Sequence, residues 1–343
     1  MDPRGERVVP FVARDGVPCN LVQILGEHAP HRGPVLLVHG AGVRGNIFRA
    51  PVERTIIDLL LDEGYDVWLE NWRASIDLSP HRWSIDQAAL YDHPAAVEKL
   101  VEETGAAEVK AIVHCQGSTS FCLSAVLGLL PQVTTIVSNA VSLHPVVPPE
   151  AWLKLKVAVP LLARVTPFVN PQWGLDPPTL LARMLNGVVR LTHHECDNIV
   201  CRWASFAYGV GFPTLWRHEN LNDATHDWLS AEFADVPLLF FEQMRRCVAA
   251  GHLVPHDHPD EIAANPFAEP PRTGARFALY CGAMNRCFLP ESQRRTFAWL
   301  DAHRPGYHSL HIVPRYAHLD PFMGRNAHRE VLPSMVHQLD QPN

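Results

Sequence analysis

The most constraining feature of the chain is the segment from Val109 to Ser118, which reads Val-Lys-Ala-Ile-Val-His-Cys-Gln-Gly-Ser. Its first five residues are mostly apolar and β-branched, as is typical of a buried parallel strand. A helical pattern of apolar residues follows directly after Cys115 and Gly117. A strand, a tight turn with a small residue and then a helix is the context of a nucleophile elbow, whose usual pattern is Gly-x-Ser-x-Gly. The segment therefore predicts a nucleophile at Cys115.

This elbow departs from the usual pattern at two positions. Val113 replaces the first glycine, and Cys115 stands where serine is usual, whereas Gly117 keeps the second glycine. A valine requires more room beside the strand, but a thiolate is an intrinsically strong nucleophile. The alternative is that Cys115 is a structural cysteine at a strand end, because free cysteines are among the most buried residues.

Composition limits the classes of function. The chain has 343 residues, of which 47% are hydrophobic, and its formal net charge is −7. This length suits a large core with an insertion, and the negative charge without a basic run argues against a nucleic-acid partner. The N-terminal residues are charged with no apolar segment behind them, and no apolar run is long enough for a transmembrane segment.

The cysteines and histidines favour a reducing compartment without metal chemistry. The eight cysteines include no Cys-x-x-Cys pair, so reduced thiols in the cytoplasm are expected. Histidines cluster at His193-His194 and at His256-Asp257-His258, but neither cluster has a recognised ligand spacing. We therefore expect neither a metal nor a cofactor.

The order of the segments predicts an α/β fold with a doubly wound, mostly parallel sheet. Short apolar strands alternate with helical patterns over the first 144 residues and again after residue 272, which is typical of βαβ units. Ligands of such sheets bind beyond the carboxyl ends of the strands. The residues expected at that edge are His39, Gly40, Ala41, Asn71, Cys115 and His144.

A change in composition and pattern between residues 145 and 271 predicts an inserted, mostly helical cap. Prolines cluster at its start, and its helical segments, rich in Trp, Leu, Met and Phe, include one from Thr225 to Val248. Apolar helices above a strand-end pocket can form the wall that binds an acyl chain, with Trp152, Trp203 and Phe206 as candidate lining residues. The alternative is a helical subdomain with no role in substrate binding.

Several segments together resemble the acid lipases, the family of gastric and lysosomal lipases within the α/β-hydrolase fold. The segment from Glu63 to Arg73, Glu-Gly-Tyr-Asp-Val-Trp-Leu-Glu-Asn-Trp-Arg, is close to a specific signature of that family. The other segments that carry the resemblance are Leu37–Gly40, Asp86–Thr104, Cys196–Cys201, Ala231–Gly251 and Tyr316–Asp320. The resemblance implies an α/β-hydrolase core of residues 1–144 and 272–343, and a cap or lid of residues 145–271.

The resemblance also has two departures. The family has serine at the elbow and aspartate after the strand that ends at Gly282, whereas this chain has Cys115 and Asn285. A cysteine nucleophile is found in polyhydroxyalkanoate synthases and dienelactone hydrolases of the same fold, so the fold accepts it. Cys196 and Cys201 could pair in an oxidising relative, but here they are expected to be packing residues.

The expected roles follow from the order of the elements. Cys115 is the nucleophile, with its thiol pKa lowered by the helix N-terminus and a thiolate–imidazolium pair at rest. His318, after the last strand, is the base. The expected oxyanion hole consists of the Ala41 and Gln116 N–H groups, and the expected supporting residues are His39, Gly40, Gly117, Asn71 and Arg73.

The third catalytic residue can be either an amide or a carboxylate, and the sequence leaves both interpretations open. Asn285 lies where the acid usually stands, and its amide oxygen can orient His318 by accepting the ring N–H, as in Cys–His–Asn enzymes. The competing interpretation gives that role to Asp320 or Glu291 and makes Asn285 a turn residue.

The predicted function is hydrolysis of an apolar carboxylic ester or thioester through an acyl-enzyme on Cys115. Two alternatives stay open. An alcohol or a growing polyester could replace water, as in an acyltransferase or polyester synthase. The substitutions at Val113, Cys115 and Asn285 are instead compatible with a non-catalytic relative that binds an apolar ligand.

Overall fold

The computed structural model describes residues 5–193, 196–210, 214–256 and 260–342. The two histidine clusters lie partly outside these ranges, because His194, Asp257 and His258 are not among the described residues.

The strands alternate with helices along the chain, as the sequence predicts. The strands are β1 (Glu6–Val12), β2 (Pro18–Ile24), β3 (Pro34–Val38), β4 (Asp66–Asn71), β5 (Val109–His114), β6 (Val133–Asn139), β7 (Phe168–Val169), β8 (Val236–Pro237), β9 (Arg276–Gly282) and β10 (Ser309–Val313). The α-helices are α1 (Ile56–Asp62), α2 (Ile85–Gln87), α3 (His93–Thr104), α4 (Cys115–Val126), α5 (Pro149–Leu162), α6 (Leu180–Thr192), α7 (Ile199–Tyr208), α8 (Asp223–Trp228), α9 (Leu238–Ala250), α10 (Pro290–His303), α11 (Asp320–Met323), α12 (Ala327–Glu330) and α13 (Leu332–Leu339).

The described strands include an eight-stranded sheet in the order β1-β2-β4-β3-β5-β6-β9-β10. Strand β2 is antiparallel to both β1 and β4, and every later neighbour is parallel. Every residue of β3 and β9 is buried, because helices cover the sheet. The parallel strands β3, β5, β6, β9 and β10 thus direct their carboxyl ends to one edge.

The segment between β6 and β9, called the cap below, contains α5 to α9, although these two strands are hydrogen-bonded neighbours in the sheet. Helices α5 and α9 pack against each other, and α7 packs beside α6. The described part of this segment also contains the short β7–β8 ribbon, in which Phe168 pairs with Pro237 and Val169 with Val236.

The predicted helix from Thr225 to Val248 is wrong in its middle. Helix α8 ends at Trp228, and α9 begins only at Leu238, after the strand residues Val236 and Pro237. Proline has no N–H for a helical hydrogen bond at that point. The Ala234 N–H instead donates to the Gly42 carbonyl at 3.1 Å, which ties this break to the loop after β3.

Candidate active site

The turn at Cys115 has the geometry of a nucleophile elbow. Strand β5 ends at His114, α4 begins at Cys115, and Cys115 has a φ angle of +55°. A positive φ is rare for a residue other than glycine and marks strain that functional sites often contain. A Cβ atom at Gly117 would collide with the carbonyl oxygen of His39, so only glycine fits there. Val113 is accommodated in the core, fully buried between β3 and β6.

Two backbone N–H groups face the thiol from opposite sides of the turn. The N–H groups of Gln116 and Ala41 hydrogen-bond toward Cys115 and act to lower its pKa. The Ala41 loop is held in place because the Tyr208 hydroxyl donates to the Ala41 carbonyl at 2.9 Å. This pair of donors is the arrangement that stabilises the oxyanion of a tetrahedral intermediate.

His318 and Asn285 are also brought to this edge of the sheet. The Asn285 Nδ2 and the His318 Nδ1 are 3.2 Å apart, and both residues are buried. The Asn285 Oδ1 already accepts the N–H groups of Cys287 at 3.0 Å and Phe288 at 3.2 Å. Because these two donors fix the oxygen, the amide presents a donor to His318 and not the acceptor that the sequence analysis expected.

The amide orientation determines the tautomer of the histidine. Since Nδ1 accepts from Asn285, the neutral ring carries its proton on Nε2. The Nε2 atom has no hydrogen-bond partner among the residues that the structure describes. One ring nitrogen of His318 lies within 4.8 Å of the Cys115 sulfur. The nitrogen left for a base is Nε2, which carries the proton in this tautomer, whereas a general base requires an accepting nitrogen.

His114 is a neighbour that the sequence analysis missed, although it directly precedes Cys115. Its ring lies 4.8 Å from the His318 ring, centroid to centroid, and its Nδ1 is 2.9 Å from the Asn139 Nδ2. Burial, together with the nearby His318 and His39, holds the His114 pKa well below its usual range. Asn139 also donates to the His318 carbonyl at 3.0 Å, so it joins both histidines.

Burial sets the protonation of the resting site. It raises the pKa of Cys115 to about 12, although the Gln116 and Ala41 N–H groups oppose the rise. It also lowers the pKa of His318 to about 3. Near neutral pH the thiol and the imidazole are both uncharged, so the expected thiolate–imidazolium pair is absent at rest. The helix N-terminus does not offset the removal of Cys115 from water.

These protonation states predict how Cys115 reacts with an alkylating agent. We expect its alkylation by iodoacetamide to accelerate roughly tenfold per pH unit between about pH 7 and pH 9, because the thiolate fraction rises in that proportion below the pKa. Peptide mass spectrometry of timed samples measures the rate at Cys115 itself. A rate that is flat over this range would mean that Cys115 is already a thiolate.

The two competing carboxylates do not contact the ring of His318 in the structure. Asp320 accepts the Ala317 N–H at 2.7 Å, the Arg217 N–H at 3.3 Å and the Asn220 amide at 2.6 Å. Burial raises the pKa of Asp320 to about 6. Glu291 forms an exposed ion pair with Arg295 on α10. Asp320 therefore braces the histidine loop, whereas Asn285 hydrogen-bonds to the ring itself.

The residues expected to support the strand-end loops have structural partners. The His39 carbonyl accepts the Trp72 indole N–H at 3.0 Å. The Asn71 amide donates to Asn20 at 3.0 Å. Arg73 is buried and pairs with Asp92 at 2.6 Å and Asp15 at 2.8 Å. A buried arginine with two carboxylate partners rigidifies the loop that follows β4.

A narrow apolar pocket opens at Cys115, which is itself 7% exposed. The space between its walls, counted out to its mouth, is about 530 Å³. The residues that line it are Cys115, Gln116, Val147, Ala151, Lys154, Leu155, Ala207, Tyr208, Gly209, Phe240, Phe241, Met244, Val248, Cys287 and Phe288. Most of this wall comes from α5, α9 and the end of α7, which belong to the cap.

The candidate lining residues Trp152, Trp203 and Phe206 are absent from this wall. Trp203 is fully buried and packs edge-on against Trp173 and Phe206. Trp203 thus lies in the interior of the cap, whereas Trp152 and Phe206 are partly buried and pack against the core. Composition alone could not separate the two faces of α7.

Ser120, His93 and Glu70 form a second Ser–His–acid set behind the elbow. The hydrogen bond between the serine and the histidine runs in the opposite direction to the one that catalysis requires. The His93 Nε2 is 2.7 Å from the Ser120 hydroxyl, and the His93 Nδ1 is 2.8 Å from Glu70. The Ser120 hydroxyl donates to the Gln116 carbonyl at 2.9 Å, so it accepts from His93. All three side chains are completely buried. This network supports the packing of α3 against α4.

Comparisons with known proteins agree with this architecture. Residues 33–189 match the family model described as alpha/beta hydrolase fold. The chain is similar over nearly its full length to the monoacylglycerol lipase of Paleococcus ferrophilus, with 15% identity, a TM-score of 0.54, and coverage of 97% of this chain and 99% of that one. It also matches a lipase in its open form, with 14% identity, a TM-score of 0.56 and 98% coverage of both chains. The chain thus has the α/β-hydrolase fold.

The sequence relatives are distant lipases and esterases. Sterol esterase 2 of Saccharomyces cerevisiae is 27% identical over 175 residues, which are 46% of this chain and 31% of that protein. Gastric triacylglycerol lipase of Rattus norvegicus is 28% identical over 134 residues, or 30% and 34% of the two chains. Human Lipase member K is 36% identical over 107 residues, or 27% and 26%. The chain therefore matches about a third of the length of these relatives, with distant similarity to the acid lipases.

None of the described helices is both long and apolar enough to cross a membrane.

Proposed function

We propose that this chain is an esterase- or lipase-like hydrolase that cleaves apolar carboxylic esters or thioesters through an acyl-enzyme on Cys115. One observation carries the proposal. The thiol sits on a strained strand-to-helix turn, faces the N–H groups of Ala41 and Gln116, and opens into an apolar pocket. Acyl transfer requires a nucleophile, hydrogen-bond donors for the oxyanion and an apolar pocket that binds the acyl chain.

In the proposed reaction, the Cys115 sulfur attacks the ester carbonyl carbon while its proton passes to the Nε2 of His318. The Ala41 and Gln116 N–H groups stabilise the oxyanion until the C–O bond breaks and the alkoxide takes the proton from the imidazolium. Water then attacks the thioester while the His318 ring takes a proton from it. The C–S bond breaks to release the carboxylic acid, and the ring passes that proton to the Cys115 sulfur. Before each cycle the ring proton has to move from Nε2 to Nδ1. This shift breaks the hydrogen bond that Nδ1 accepts from the Asn285 amide. We therefore expect turnover to be slow.

The cap supports an apolar substrate. Helix α5 lines the pocket with Ala151 and Leu155, and its outer face is also apolar. The side chains that are at least about half exposed on α5 and α6 include Leu153, Val157, Leu161, Leu180, Met184 and Leu191. An apolar surface of this kind marks a site of contact with other apolar material. The proposed substrate is thus an ester with a hydrocarbon acyl chain.

A second candidate is a non-catalytic relative that binds an apolar ligand. It is favoured by the donor that Asn285 presents to His318 and by the raised pKa of Cys115. Hydrolysis of p-nitrophenyl esters, measured beside thermal stabilisation by a non-cleavable ether of the same chain length, separates the two. Hydrolysis well above background supports the enzyme. Stabilisation by the ether without any hydrolysis supports the binding protein.

The pocket wall predicts which substitutions change the acyl-chain preference. We expect Val248→Phe to lower kcat/KM for long-chain p-nitrophenyl esters about tenfold relative to the acetate, because the larger side chain narrows the pocket. Val157→Phe is the matched control, since Val157 is 50% exposed on the outer face of α5. A chain-length profile shared by both folded variants and the wild type would contradict this role of the cap.

A further inference from the structure

A cluster of two thiols and two imidazoles lies in the cap, apart from the pocket at Cys115. The sulfur or ring-nitrogen atoms of Cys196, Cys201, His218 and His226 all lie within 4.8 Å of one another. The Cys196 sulfur is 3.3 Å from the His226 Nε2, and the Cys201 sulfur is 3.4 Å from the His218 Nε2. None of these residues belongs to the lining of the Cys115 pocket.

These separations match a tetrahedral metal site. Zinc binds sulfur at about 2.3 Å and imidazole nitrogen at about 2.0–2.1 Å, which places tetrahedral ligand atoms roughly 3.3–3.8 Å apart. Thiolate and imidazole are the ligands that favour zinc over magnesium, calcium or manganese. From this geometry we propose that Cys196, Cys201, His218 and His226 bind one Zn²⁺ ion. A closed set of four protein ligands makes the site structural, not catalytic.

Hydrogen bonds to a neighbouring side chain, Asn198, hold the ligand segments in place. The Asn198 side chain accepts the N–H groups of Val200 and Cys201 at the start of α7. Its amide donates to the His226 carbonyl at 3.0 Å, and its backbone N–H lies 3.3 Å from the Cys196 sulfur. Asn198 thus ties three of the four ligand segments together, as outer-shell partners of metal ligands do.

A disulfide between Cys196 and Cys201, as could form in an oxidising relative, would not account for the whole cluster. A bond between Cys196 and Cys201 would need only those two residues. Here His218 and His226 converge on the same point from separate segments, with their rings 4.9 Å apart. Cys196 and both histidines are partly exposed, so an ion can reach the site from solvent. The sequence analysis considered only the two histidine clusters, neither of which has a recognised ligand spacing, and the set from Cys196 to His226 is too widely spaced to be seen as one motif.

The proposed ion would fix the cap against the loop of His318. The Leu215 carbonyl accepts the N–H groups of His318 at 3.1 Å and Leu319 at 2.7 Å. Arg217 and Asn220, which flank His218, donate to Asp320. A metal bond at His218 anchors this segment to α7 and α8. Loss of the ion is thus expected to lower stability first and turnover only through the position of His318.

Metal content of the full-length chain tests the site without reference to hydrolysis. The protein is produced in zinc-containing medium, kept reduced, dialysed against metal-free buffer and measured by inductively coupled plasma mass spectrometry. We expect about one zinc per chain in the wild type and a loss of at least about fivefold in His226→Gln and Cys196→Ser. The control Cys247→Ser/His252→Gln changes the same residue types elsewhere in the cap and should retain zinc.

Two measurements on the wild-type chain keep the test decisive if a variant does not fold. Protein grown with Co²⁺ should show thiolate-to-metal charge transfer and the visible bands of a tetrahedral site. Removal of the metal by a strong chelator should lower Tm by on the order of 5–10 °C. Reduced wild-type protein without zinc would overturn the proposal. Equal zinc in His226→Gln and the control would overturn it too, as would a Cys196–Cys201 disulfide in the freshly isolated protein.

Discussion

Replacement of Cys115 by alanine is expected to reduce ester turnover by on the order of 10³-fold or more. The reason is that Cys115 supplies the sulfur on the strained turn, within reach of both oxyanion donors. The measurement is kcat/KM with p-nitrophenyl butyrate for variants whose circular dichroism and Tm match those of the wild type. Residual activity above water would come from the oxyanion donors and binding alone.

Cys122→Ala is the matched control for this loss. Cys122 is buried in the same helix, two turns along, and its sulfur lies 3.8 Å from the Ser138 hydroxyl, away from the pocket. This variant should keep turnover within about threefold of the wild type, apart from a small loss of stability. A folded Cys115→Ala protein with wild-type turnover would remove Cys115 from the mechanism.

Replacement of Asn285 by aspartate is expected to raise turnover by about tenfold or more. A carboxylate there would still accept the Cys287 and Phe288 N–H groups with one oxygen, and its other oxygen would accept a hydrogen bond from the His318 Nδ1–H. The Nε2 would then be free to accept the thiol proton. The reverse change in a Ser–His–Asp site, aspartate to asparagine, lowers kcat by roughly 10⁴ because it imposes the wrong tautomer. A thiol is more acidic than a hydroxyl, so we expect a smaller effect here.

Two further variants define the comparison. Glu291→Gln should leave kcat/KM within about twofold, because Glu291 forms an exposed ion pair with Arg295. Asp320→Asn is expected to destabilise the histidine loop, since Asp320 accepts the Ala317 and Arg217 N–H groups. If Asn285→Asp folded normally but lowered turnover, the Nε2 proton of His318 would have to be used directly, and the proposed order of proton transfers would fail.

Local features of the chain were enough to predict the elbow. The apolar run that ends at His114, the glycine at Gly117 and the helical pattern beyond it specify a strand, a turn and a helix that the structure contains. The alternation of strands and helices also predicted the mostly parallel sheet. These features depend on neighbours close in sequence, so a single sequence carries them.

Other features depend on contacts between distant segments and could not be predicted. The direction of the Asn285 amide follows from the two N–H groups after it, in a turn whose shape only the folded chain defines. The protonation of Cys115 follows from how deeply the cap buries it. The cysteine–histidine cluster requires four residues between Cys196 and His226 to meet at one point in the folded chain. The break at Pro237 is different, because the proline was visible in the sequence and should have ended the predicted helix.

The most direct test of the proposed mechanism is to trap the acyl-enzyme. The wild-type protein is mixed with p-nitrophenyl butyrate, quenched rapidly in acid and measured by intact and peptide mass spectrometry. The mechanism predicts one butyryl group per chain, located on the peptide that contains Cys115, released by hydroxylamine and absent from Cys115→Ala. Ester turnover with Cys115 unmodified, and with the butyryl group on another residue, would contradict it.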